Sequence, residues 1–134
     1  MTIKRDEQTL VNLTNTFLQR IQYKDFVSAP VTLIELRSIP KKEQAWSKQA
    51  GVYYFLQNDT VKYVGRATPN VGLGNRVYQQ ANALGGLDGW DDVITDPNTT
   101  YGLIIFEDNE DWHWLAALEV FLIDKLRPQF NKRF

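Results

Sequence analysis

The sequence predicts an α+β fold: short aromatic-rich strands mixed with amphipathic helices, preceded by a helical extension. Three observations carry this reading. Gly51 to Gly65, GVYYFLQNDTVKYVG, holds two runs of β-branched and aromatic residues joined by Gln57, Asn58 and Asp59, the composition of a β-hairpin and its turn. Tyr101 to Phe106 is a short apolar run of strand length. Residues 111–126 repeat apolar side chains at helical spacing and stop before Pro128.

The extension comes first along the chain. Between Asp6 and Tyr23, the residues Leu10, Leu13, Thr14, Phe17, Leu18 and Ile21 fall at three- and four-residue spacings, which predicts an amphipathic helix packed on a core. Its polar face is not rich in Lys or Arg, which argues against a membrane-surface helix. Val31 to Leu36 suits a short strand after Pro30, and Pro40 can open a short helix through Trp46. Residues 1–49 are taken as this extension and 50–134 as the main domain. Lys41, Lys42 and Lys48 could touch phosphate, although a solvated helix face is the commoner meaning of such a cluster.

After the hairpin, one proline and two glycines between Arg66 and Gly74 interrupt regular structure, and a helix is expected over 75–82. Gly85 to Thr100 reads as a long turn-rich loop with Trp90, Asp91, Asp92 and Asp96. It lacks the ligand spacing of a calcium loop, so a solvated loop is expected. The last helix has Asp108 or Asn109 as candidate caps, acidic residues at its start, and Lys125 and Arg127 near its end, as the helix dipole prefers.

Composition narrows the function classes. At 134 residues, the chain has room for one domain with an extension, and for a core that needs no covalent staple. It contains no cysteine, which excludes disulfides and thiolate metal sites. No apolar run suits a signal peptide or a membrane span, so a cytoplasmic protein without a membrane partner is expected. The formal net charge of -1 and pI near 5.8 lack the basic excess of a sequence-independent nucleic-acid binder. Any nucleic-acid contact has to come from local clustering.

Glu119 is the most informative single residue. At about 100° per residue, Trp112, Leu115, Ala116, Leu122, Ile123 and Leu126 share one side of the last helix, and Glu119 lies in the middle of that stripe. A carboxylate facing a core costs several kcal/mol unless it is paired or ligates a metal. Glu119 is therefore a functional candidate, the alternative being a buried ion pair with an arginine such as Arg76. A second apolar patch, Trp114, Leu118 and Phe121, is expected to be covered by the N-terminal helix; a homodimer interface is the other use for it.

Taken together, Tyr53 and Tyr63 on paired strands, Arg76 opening a helix, Glu119 and Asn131 resemble the GIY-YIG nuclease family. Gly51-Val52-Tyr53 and Tyr63-Val64-Gly65 correspond to its two tripeptides, each with Val for Ile. Arg76 corresponds to its helical arginine, Glu119 to its glutamate, and Leu126 to Asn131 to its closing Leu-x-Pro-x-x-Asn element. The resemblance spans Ala50 to Asn131 and implies a small, mostly antiparallel three-stranded sheet flanked by helices.

It also implies a metal-dependent endonuclease that hydrolyses DNA phosphodiester bonds with one divalent cation, Mg²⁺ or another such as Mn²⁺, held by Glu119. Tyr53, Tyr63, Arg76 and Glu119 are the implied catalytic residues, with Arg66 and Asn131 on the substrate. The chemistry suits these side chains. Mg²⁺ prefers hard anionic oxygen and keeps much of its water, and a guanidinium offers fixed donors to a phosphate gaining charge. A phenol titrates near 10, so a tyrosine serves as base at neutral pH only beside a cation or as a relay; Tyr53 is favoured for that role, with Tyr63 orienting water or phosphate.

Three departures weigh on the activity. The segment from Gly65 to Arg76 is longer than usual in the family, so Arg66 could assume part of the work of Arg76. Gln80 occupies a place where many members have histidine or tyrosine, and it cannot take up a proton. The sole histidine, His113, falls off the Glu119 stripe. A rival reading is a catalytically weak or inactive module of the same fold that binds nucleic acid or a protein partner.

Overall fold

Asp6 starts the first helix, α1 (Glu7–Arg20), by accepting a hydrogen bond from the Thr9 backbone N–H at 3.0 Å. The structure, a computed structural model, describes residues 3–22, 27–32, 49–68, 72–73, 89–106 and 111–131. Along α1, Leu10, Thr14 and Leu18 are buried, and Leu13, Phe17 and Ile21 pack at the margin of the same core, as the spacing of the sequence requires. The strand β1 (Val27–Thr32) follows. It begins ahead of the expected Val31, and positions 33–36 lie outside the described residues, as does the short helix expected from Pro40.

β2 (Gly51–Gln57) and β3 (Thr60–Ala67) form the expected hairpin. Asn58 and Asp59 both have positive φ, 50° and 59°. A two-residue turn of this hand matches the twist of its strands, and Asn and Asp tolerate the left-handed region better than other side chains. The segment from 85 to 100 contains a short helix, α2 (Trp90–Thr95), where a loop was expected. The cause is tertiary. Trp90 is fully buried between Phe55 and Phe130, at ring distances of 5.4 and 5.1 Å, and burial of a large aromatic side chain contributes roughly 3 kcal/mol. The strand β4 (Thr100–Ile105) and the helix α3 (Trp112–Leu126) complete the order. The helix expected over 75–82 lies outside the described residues.

The strands make one antiparallel sheet in the order β1-β4-β2-β3. The three strands expected for the main domain are thus joined at one edge by a fourth, β1, from the segment taken as the extension. Pro30 sits in that strand opposite Gly102, and an edge strand tolerates the missing N–H. β3 is the other edge.

Each face of the sheet has its own core. On one face, Val52, Tyr54, Leu56, Val61, Val64 and Ile104 pack with α1 and α3. Phe17 of α1 meets Phe121 of α3 at 5.6 Å between ring centroids, and Leu118 is fully buried, so α1 covers most of the second patch of the last helix. On the opposite face, Tyr53, Phe55, Ala67, Leu73, Tyr101 and Leu103 pack with Trp90 and Phe130. Trp112, placed on the apolar stripe by its helical phase, is instead 41% exposed. Helical phase gives a direction around α3, and Trp112 lies in its first turn, where the direction alone does not ensure cover. Among the described residues, no helix is long and apolar enough to cross a membrane.

Candidate functional site

The two tyrosines of the hairpin are set by strand register. Tyr53 stands opposite Gly65 and Phe55 opposite Tyr63, so Tyr53 and Tyr63 share a face. Tyr53 is fully buried, and its ring lies across Gly65: a Cβ at Gly65 would overlap Cζ and Oη of Tyr53. Glycine is required there by close approach, and it brings the Tyr53 hydroxyl to the edge strand. Tyr63, half-buried, stacks on Tyr53 with centroids 6.2 Å apart and planes at 27°, and its far side meets Trp90 at 6.1 Å. The neighbouring Tyr54 has the same arrangement on the other face. Its ring crosses Gly102, and its hydroxyl donates to Glu7 Oε2 at 2.8 Å. Its role is packing and tethering of α1.

Arg66 follows Gly65 and, by alternation, turns to the face of Val64 and Val52, where α3 packs. Its Nε donates to Glu119 Oε1 at 3.0 Å. The Glu119 side chain keeps 18% of its surface exposed and that of Arg66 41%, so Glu119 sits at the border of the apolar stripe, with Leu115, Leu118, Leu122 and Ile123 buried around it. The anion that the sequence placed facing a core thus has a cation beside it. Arg66 supplies one such partner across the sheet edge; Arg76 and Gln80 lie outside the described residues.

Asn131 bonds the edge strand itself. Its Oδ1 accepts from the Val64 N–H and its Nδ2 donates to the Val64 carbonyl, both at 2.9 Å. The Phe130 N–H donates to the Lys62 carbonyl at 3.0 Å. The segment after α3 therefore pairs with β3 much as a further strand would.

Of the expected site residues, the structure brings together Tyr53 with Tyr63 on one face, and Arg66 with Glu119 on the other. The two pairs reach β3 at consecutive residues, Gly65 and Arg66, just beyond the stretch that Asn131 covers. The contact between Arg66 and Glu119 was missed in the sequence. Its signal was the alternation that puts Arg66 on the same face as Val64, toward the helix that carries Glu119.

Other candidates fall away from this edge. His113 is exposed beside Trp112 and Trp114. Asp91 and Asp92 are exposed on α2. Asp96 accepts from the Asn98 N–H at 2.9 Å and from Gln57 Nε2 at 3.0 Å, and these bonds hold its carboxyl below the ordinary value, the Asn98 bond most. That is turn chemistry. Among the described residues, no group of three or more His, Cys, Asp or Glu could hold a metal ion.

No protein-family model matches the sequence, and no curated protein matches it. Solved structures do. The chain is similar to a point mutant of the GIY-YIG N-terminal endonuclease domain of UvrC from Thermotoga maritima bound to its catalytic divalent cation, with 24% identity and a TM-score of 0.51, covering 74% of this chain and 97% of that one. It is similar to the same domain bound to magnesium, with 24% identity and a TM-score of 0.50, covering 72% and 96%. The chain has the fold of a GIY-YIG endonuclease domain.

Proposed function

We propose that the chain is a divalent-metal-dependent endonuclease that hydrolyses DNA phosphodiester bonds at the β3 edge. The observation that carries this reading is that consecutive residues of one edge strand, Gly65 and Arg66, are reached from opposite faces of the sheet by the Tyr53 hydroxyl and, through the Arg66 side chain, by the Glu119 carboxylate. It is supported by the shared fold with a domain whose solved structures hold a catalytic divalent cation.

The donor chemistry fits such a cation. Glu119 offers a hard carboxylate at a partly exposed position, and Mg²⁺ needs only one or two carboxylates because it keeps several waters. A single glutamate is therefore compatible with the lack of a three-residue cluster among the described residues. When bound, the cation would polarise the phosphate and acidify water.

The chain's own residues then divide the remaining work. Glu119 holds the cation, with Mn²⁺ as an alternative to Mg²⁺. Arg66, and Arg76 on the sequence resemblance, offer guanidinium donors to the phosphate. Tyr53 and Tyr63 hold a stacked pair of phenols, of which Tyr53 is favoured to move the proton and Tyr63 to orient water or phosphate. Asn131 fixes the edge against which DNA is laid.

The contact between Arg66 and Glu119 also favours a second reading, a binding module of the same fold in which the carboxylate serves only as an ion-pair partner. Incubation with supercoiled plasmid and Mg²⁺ separates the two. The nuclease nicks the plasmid and Glu119→Gln does not; the binding module retains the plasmid without nicking it.

A further inference from the structure

Arg66 faces an anion, Glu119, and keeps much of its own side chain in solvent. Its Nε makes a single hydrogen bond to Glu119 Oε1 at 3.0 Å, rather than the two-bond fork of a fully committed arginine and carboxylate. Its side chain keeps 41% of its surface exposed, enough to leave the carboxylate without unpacking a core. It is also the next residue along β3 after Gly65, where the Tyr53 hydroxyl arrives, and it lies beyond Val64, whose backbone groups Asn131 occupies. The exposed part of its side chain leaves Arg66 accessible at this edge.

A divalent cation on Glu119 would share a carboxylate with the guanidinium, and like charges at contact distance repel. We propose that Arg66 is a positioning residue that holds the Glu119 carboxylate while no cation is there, and that the arriving cation releases it to the substrate phosphate. The inference rests on the nuclease reading. It makes Arg66 a competitor of the metal in the free protein and a partner of the phosphate in the complex.

The two roles separate in a titration of Mn²⁺ into the protein without DNA, followed by calorimetry. Arg66→Gln binds Mn²⁺ about three- to fivefold more tightly than the unsubstituted chain, the scale of a partly exposed ion pair. Arg66→Lys, which keeps the charge, returns the affinity toward the original value, and Arg66→Gln raises KM for plasmid when Mn²⁺ is saturating. Equal or weaker Mn²⁺ binding by Arg66→Gln overturns the proposal. Glu119→Gln in the same titration tests the underlying reading: loss of binding supports it, and unchanged binding removes the metal site and this proposal with it. Absence of Mn²⁺ binding by the unsubstituted chain likewise overturns both.

Discussion

Asn131 fills the place of a strand residue beside Val64, exchanging hydrogen bonds with both backbone groups of that residue at 2.9 Å. An edge strand with unpaired backbone is a site of adventitious pairing, and the side chain closes part of it. Asn131→Ala removes both bonds and is expected to lower stability by about 2 kcal/mol in urea unfolding. Asn131→Asp keeps the acceptor, sets a carboxylate against the Val64 carbonyl, and costs at least as much. A loss of DNA affinity with unchanged stability would contradict this positioning role.

Tyr53 and Gly65 form a coupled pair. Gly65→Ala puts a methyl into the Tyr53 ring and is expected to cost about 1–3 kcal/mol, the range for overpacking a filled core. Tyr53→Leu makes room for that methyl, so the double variant loses less stability than the sum of the two single variants. Strict additivity in a double-mutant cycle would show that the two residues do not touch.

The N-terminal helix belongs to the core of the α3 face. Leu10 is fully exluded from solvent there, and α1 is further tied by Tyr54 to Glu7 and by the Arg5 carbonyl, which accepts from the Val61 N–H at 2.6 Å. Leu10→Ala is expected to cost about 2–5 kcal/mol, with one cooperative unfolding transition. Two separated transitions would mean that α1 folds apart from the sheet.

Acid should weaken the fold through two surface carboxylates. Hydrogen bonds from Thr9 hold Asp6 below its ordinary value of 3.8, and bonds from Asn98 and Gln57 do the same for Asp96. A carboxyl depressed in the folded state stabilises the fold above its unfolded value, and that contribution is lost as pH falls through the folded value. The double variant Asp6→Ala, Asp96→Ala should therefore melt below the unsubstituted chain at about pH 6, with the gap narrowing toward about pH 2.5. A gap independent of pH would assign the difference to something other than ionisation.

The local parts of the fold were legible because their causes are local. Asn58 and Asp59 specify the turn between β2 and β3, and aromatic and β-branched runs specify the strands on either side. The spacing from Leu10 to Ile21 specifies α1 and its buried face. Trp90 was misread because a Gly- and Asp-rich context signals a loop, whereas the contacts that fold α2 come from Phe55 and Phe130, distant in sequence. β1 was placed late because Ser28, Ala29 and Pro30 have little strand character of their own, and their pairing with β4 supplies the rest. At the site, an unusual carboxylate at Glu119 was visible in the helical pattern, but Arg66, its partner on a strand, was not.

The central claim is that Glu119 makes this edge a metal-dependent nuclease. Its most direct test is the nicking rate of supercoiled plasmid in Mg²⁺ for the unsubstituted chain and for Glu119→Gln, with matched circular dichroism spectra. Loss of a metal ligand should slow nicking by more than the roughly 10- to 100-fold typical for loss of an outer-shell partner, and chelation should abolish it in the unsubstituted chain. Equal nicking by the two folded proteins would contradict the claim.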